Sequence, residues 1–264
     1  MDDIKRDLQE YAMFKERSFA TSAGAHIPEL ERGTEEPEVV LLGDSMIERM
    51  TTTGGSHSFQ PWPSNIMLPE KDLALSWEAH AGPGGGSIVR LDRVFNAGVG
   101  GDRYENIIYR LVGDDVEGRQ LPSLMEMLDG CDIKLWVVQA GTNNLHPKRG
   151  LSDADVDKLR LVLRAVLRIS RPEARLLLTG LFRRKDITDP LIGEANRKLE
   201  NLAVSMNESL ETTRIFFSPA PQAISKEEHL DDHVHLNVEG YRLWLRHLYP
   251  EVLGALRAAG GLRG

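Results

Sequence analysis

Five short apolar runs, separated by longer segments with helical period, constrain this chain more than any other feature. They are VVLL at 39–42, VFN at 94–96, LWVVQ at 135–139, LLLT at 176–179 and IFF at 215–217. A strand with one face in water alternates apolar and polar residues. These runs are nearly continuous, as strands buried on both faces should be. Between them, residues 153–169 carry Val156, Leu159, Leu163, Val166 and Leu167 near a 3.6-residue period. Ser152 stands where an N-cap belongs, with Asp153 and Asp155 in the first turn. Residues 191–210 and 238–256 read the same way. Strands alternating with helices imply βαβ units. The expected architecture is a three-layer α/β/α sandwich around a central, mainly parallel five-stranded sheet.

Residues 36–257 form the expected domain. Residues 1–35 read as a short amphipathic helix and an irregular lead-in, and 258–264 as a tail. Residues 51–92 break the pattern with TTTGGSHSFQPWPSN and GPGGGS, which is loop chemistry. The triple glycine at 84–86 lacks the Lys-Ser/Thr and the preceding strand of a phosphate loop. Within the same loop, His57, Phe59, Trp62 and Trp77 are candidates either for a lid or for packing on the domain surface.

A formal net charge of -8 gives no basic field for a nucleic-acid backbone. The first residues, MDDIKRDLQEYAMFKERS, contain no apolar h-region, and no run approaches the ~18 apolar residues of a membrane helix. The expectation is a cytoplasmic protein without membrane insertion. A single cysteine, Cys131, excludes an intramolecular disulfide and a cysteine-rich zinc site. The oligomeric state, monomer or homodimer, stays open.

In an open parallel sheet, the loops at the carboxyl ends of the strands share one rim. Gly43-Asp44-Ser45 follows the first run, Gly98-Val99-Gly100-Gly101-Asp102 the second, and Gly141-Thr142-Asn143-Asn144 the third. Asp231-Asp232-His233-Val234-His235 follows the last and precedes a helix. Topology therefore assembles a serine, a glycine turn, an asparagine and an Asp/His pair. Acyl transfer needs that set. A serine hydroxyl becomes nucleophilic when a base takes its proton, and a carboxylate orients the base. Ser45 N–H, Gly101 N–H and the Asn143 amide can face the developing oxyanion. The Asp/His cluster at 229–235 leaves a metal-dependent hydrolase open, and a non-catalytic binding or assembly module of the same fold is a further alternative.

The four segments resemble the four blocks of the SGNH hydrolases, or GDSL esterases, and look most like the catalytic subunits of platelet-activating-factor acetylhydrolases. EPEVVLLGDSMIERM resembles the first block, FNAGVGGDRYENIIYRL the second, VVQAGTNN the third and DDHVHLNVEGY the fourth. The resemblance implies a flavodoxin-like fold over about residues 36–257. It implies Ser45 as nucleophile, and Ser45, Gly101 and Asn143 as the oxyanion hole. The family's Asp and His stand three apart, which selects Asp232 and His235 rather than Asp231 and His233. It also implies supporting roles for Asp44 and Asp102, solvent exposure for His233 and His146, and a small-molecule acyl ester as substrate, acetyl first. Neither a cofactor nor a metal is implied. The family joins its first two blocks more briefly, so the 51–92 insertion bears on substrate choice.

Overall fold

The computed structural model describes residues 2–33, 35–50, 93–116 and 118–260. The 51–92 loop, with its aromatic and glycine-rich candidates, lies outside the described residues. All five expected strands are present: β1 Val39–Gly43, β2 Val94–Gly98, β5 Leu135–Gln139, β6 Arg175–Thr179 and β7 Ile215–Ser218. They form one sheet in the order β2-β1-β5-β6-β7. Every pairing in it is parallel. The strand order reverses beside β1, because the chain steps outward to β2 and then returns across β1 to β5. Crevices at such a reversal are where open α/β sheets hold ligands.

The continuous apolar runs do what their pattern demands. Val40, Leu42, Trp136, Val138, Leu176 and Leu178 enter one core, and Val39, Leu41, Leu135, Val137 and Leu177 enter the other. Successive residues of one strand thus fill opposite layers. The first core is covered by helices Tyr104–Val112, Asp153–Arg168 and Asp189–Asn207, and the second chiefly by the 21-residue helix Val238–Ala258. Ser152 caps its helix as expected, accepting a hydrogen bond from Asp155 N.

Two regions differ from the sequence reading. Residues 2–32 are not a helix with an irregular lead-in. They form helices Asp2–Gln9, Glu16–Thr21 and Ile27–Arg32, with a π turn at Ser22–His26. Each is too short to carry a clear period, and packing rather than propensity holds such helices. A small antiparallel hairpin, β3 Asp114–Val116 with β4 Arg119–Leu121, follows the Tyr104–Val112 helix.

The register aligns the carboxyl ends of the three strands that meet at the reversal: Gly43 pairs with Gly98 on one side and with Gln139 on the other. Gly43 is glycine because nothing larger fits. A Cβ there would lie 2.0 Å from the Gln139 carbonyl oxygen and 2.6 Å from Ile47 Cγ1. Gly43→Ala should therefore destabilise the protein by at least about 1–3 kcal/mol, the usual cost of overpacking. Urea unfolding of both proteins measures it, and an unchanged midpoint would contradict this packing.

Candidate active site

The chain leaves β1 at Gly43 and turns through Asp44, whose extended backbone starts a short helix, Ser45–Glu48. Asp44 Oδ1 accepts from Met46 N at 3.0 Å, which is the capping bond expected of an aspartate at this position. The Tyr241 hydroxyl donates to Met46 O at 3.0 Å and ties this turn to the Val238–Ala258 helix. Ser45, the first helical residue, is 6% exposed. Asp44 itself is fully buried. Burial pushes its carboxyl up to about 7, and the nearby Asp102 adds to the rise, against the opposing Met46 N–H.

His235 reaches Ser45 from 190 residues away, with Nε2 2.9 Å from Ser45 Oγ. Its loop is closed by an antiparallel bridge between Leu230 and Leu236, and by Asp231 N donating to His235 O at 2.8 Å. Asp232 then organises the ring. Its Oδ1 accepts from Val234 N at 2.8 Å and His235 N at 2.7 Å, while Oδ2 meets His235 Nδ1 at 2.7 Å. A carboxylate can only accept, so Nδ1 carries the proton and Nε2 presents its lone pair to the serine hydroxyl.

The charges agree with that assignment. Desolvation lowers the His235 pKa from its ordinary value; Asp232 raises it, while Arg49 and His233 lower it further. Desolvation alone would raise the Asp232 carboxyl. The His235 ring and the two backbone N–H donors outweigh it and hold Asp232 well below the usual carboxylate range. The resting pair is a neutral imidazole beside an ionised carboxylate.

The glycine turn and the asparagine flank the serine. Gly101 has φ +76°, a left-handed conformation that glycine adopts without steric cost. Asn143 Nδ2 donates to Asp102 O at 2.9 Å, which joins the loops after β2 and β5. An amide nitrogen has two hydrogens, so one N–H of Asn143 is left for another acceptor. Asn144 reinforces the junction. Its Oδ1 accepts from Tyr104 N at 3.1 Å and its Nδ2 donates to Asp155 Oδ1 at 2.9 Å.

The structure also shows what sequence reading missed. Asp102 is fully buried and meets Arg110 Nε at 2.8 Å, and neither side chain has exposed surface. Arg110 further donates through Nη1 to Ala97 O at 3.0 Å and through Nη2 to Gly43 O at 3.4 Å. Burial pulls the Asp102 carboxyl up, and Arg110 and Ser18 pull it down. A visible signal was the arginine inside the otherwise apolar face of IIYRLV, since a charge there requires a buried partner. No comparable signal marked the N-terminal contacts. The Ser18 hydroxyl donates to Asp102 Oδ1 at 2.5 Å, and Arg17 pairs with Glu48 at 2.9 Å.

Other candidates stay apart. Asp231, His233 and His146 are exposed, and His146 Nδ1 accepts from Lys148 N at 3.1 Å. His229 Nδ1 accepts from Ser225 N at 3.0 Å. Among the described residues, no group of three His, Cys, Asp or Glu side chains converges on a point that could hold a metal ion.

Residues 41–243 match the family of GDSL-like lipases/acylhydrolases. The chain belongs to this family. It is thus an ester hydrolase of the GDSL type, and its fold has many solved counterparts. A Streptococcus pneumonia protein named for platelet activating factor is 15% identical, with a TM-score of 0.51 over 96% of this chain and 99% of that one. A carbohydrate esterase of family 3 from Talaromyces cellulolyticus is 14% identical, with a TM-score of 0.53 over 84% and 98%. A carbohydrate esterase of family two from Clostridium thermocellum, solved with cellohexaose, is 13% identical, with a TM-score of 0.57 over 86% and 66%. No curated protein matches the chain. No helix among the described residues of this GDSL hydrolase is long and apolar enough to cross a membrane.

Two measurements check the electrostatics of the site. Arg110→Met leaves Asp102 buried without its partner and should cost about 3–5 kcal/mol in denaturant unfolding; a loss within about 1 kcal/mol would contradict the role given to the pair. Asp44, raised from 3.8 to about 7, keeps its proton in the folded state while the unfolded chain releases it. Its contribution to stability is therefore full at low pH and declines as pH rises between those two values. Asp44→Asn should flatten that decline in unfolding curves taken across the same range, and an unaltered slope would show that Asp44 is ionised when folded.

Proposed function

We propose that this hydrolase is a serine esterase for short acyl esters, acetyl first, with Ser45, His235 and Asp232 as its catalytic triad. The observation that carries the reading is the unbroken hydrogen-bond chain from Asp232 through the His235 ring to Ser45 Oγ. Ser45 Oγ attacks the ester carbonyl while its proton passes to His235 Nε2, and Asp232 stabilises the imidazolium that results. The oxyanion accepts from Ser45 N–H, Gly101 N–H and the uncommitted N–H of Asn143. As the tetrahedral intermediate collapses, the C–O bond to the alcohol breaks and His235 gives its proton to the departing oxygen. Water then attacks the acyl-enzyme, losing a proton to His235, and Ser45 is regenerated as the acid leaves.

The neighbours named carbohydrate esterases support a small acyl group on a polyol or similar alcohol. A non-catalytic module of the same fold would have no use for a neutral imidazole aligned on a serine. A metal-dependent hydrolase built on residues 229–235 would need His235 and Asp232 as ligands, yet both are engaged with each other and with Ser45.

Ser45→Ala should lower turnover of p-nitrophenyl acetate by about four orders of magnitude, as for triad members generally. Asn143→Ala should lower it about 10²- to 10³-fold. A Ser45→Ala protein as fast as its parent would end the assignment. The rate should rise with pH through an inflection below 6.5, because burial depresses the pKa of His235; a flat profile between about pH 5 and 8 would exclude His235 as the base. Across p-nitrophenyl esters of increasing length, acetate should be preferred to octanoate, and the reverse order would refute the small acyl pocket.

A further inference from the structure

A cation of the N-terminal segment stands against the glycine turn and takes no part in the chemistry above. Lys15, immediately before the Glu16–Thr21 helix, is half-buried. Its Nζ lies 3.5 Å from Gly100 O, at the outer limit of a hydrogen bond. The same Nζ would be 2.8 Å from a Cβ built on Gly101, so the ammonium occupies the space beside that residue. Among the described residues, Lys15 has no carboxylate partner within ion-pair distance, and nor does Arg103, two residues past Gly101. The neighbouring charges are already matched: Asp102 by Arg110, Glu48 by Arg17, and Asp232 by the His235 ring.

We propose that Lys15 is a specificity-determining residue, which selects esters whose alcohol portion carries an anion, a carboxylate or a phosphate, close to the scissile bond. The inference rests on the serine-esterase reading. An acetyl group has no room for a charge, so the anion must lie on the alcohol side. Arg103 adds a second positive charge along the same edge. Desolvation lowers the pKa of the Lys15 ammonium; Asp102 raises it, Arg17 and Arg103 lower it, and Asp44 raises it. A substrate anion would offset both the burial and the repulsion between these cations. That is why an anionic group, rather than a neutral sugar hydroxyl, fits this edge. A chain with net charge -8 would otherwise repel such a substrate, so a local cation at the reacting centre is needed to reverse the sign.

The test compares two acetate esters of matched shape, 3-acetoxybenzoate and the neutral 3-acetoxybenzamide, with 3-acetoxyphenyl phosphate as the phosphate arm. The wild-type kcat/KM ratio of anionic to neutral ester should be about tenfold or more, in the range expected of one partly solvated charge pair, and should shrink as salt is raised. Lys15→Met should bring the ratio toward one, Lys15→Glu should push it below one, and Lys15→Arg should keep it above one. The larger of the carboxylate and phosphate ratios identifies the preferred anion. A ratio that is the same in wild type and Lys15→Met overturns the proposal, including the case where both substrates slow equally, which would make Lys15 a support of the loop. Binding of 3-hydroxybenzoate to the Ser45→Ala protein, followed by calorimetry, separates the two readings. If it binds there and is lost on adding Lys15→Met, the anion site stands even should the serine chemistry fail. No binding in the presence of Lys15 refutes the site independently.

Discussion

A guanidinium without exposed surface holds the functional end of this protein in register. Arg110 reaches the carbonyls of Gly43 and Ala97, near the ends of two adjacent strands, and the carboxylate of Asp102 in the turn that follows. Backbone at the end of a parallel sheet loses its ladder partners, and buried carbonyls there still require donors. One planar side chain with five N–H groups can serve several acceptors at fixed angles, which a lysine could not do. The pair need not add net stability, since desolvation offsets much of the attraction between buried charges. What it supplies is position: Asp102 O accepts from Asn143, and Gly101 adjoins Asp102, so the loops after β2 and β5 share one anchor.

Electrostatics around that anchor divide the carboxylates by environment. Asp232, beside a ring and two backbone donors, stays ionised. Asp44, deeper and with fewer donors, is pushed up to about 7. Two aspartates near one serine thus have different tasks. The exposed one orients the imidazole, and the buried one caps the helix that presents the hydroxyl. Desolvation also lowers the pKa of His235, so the free base predominates in the resting site and its lone pair faces Ser45.

Much of this was legible in the sequence, for physical reasons that differ by residue. The five strands announced themselves because burial on both faces forces continuous apolar runs. Ser45, Asn143, Asp232 and His235 were legible because loops after successive parallel strands must meet on one rim. Gly101 was legible as a turn residue, and its positive φ is observed. Arg110 was half-legible, as a charge in an apolar helix whose partner only the fold reveals. The N-terminal helices were not. Their residues Lys15, Arg17 and Ser18 are ordinary surface types, and their meaning comes from contacts made across 31 to 85 residues. Long-range polar contacts leave no periodic trace.

The central claim is that the His235 imidazole activates the Ser45 hydroxyl. Labelling the folded protein with a fluorophosphonate, followed by peptide mass mapping, tests it most directly. The account requires one adduct, on Ser45, formed rapidly in the wild type and at a small fraction of that rate in His235→Ala. An unlabelled Ser45, or a Ser45 labelled equally fast without the imidazole, would contradict it.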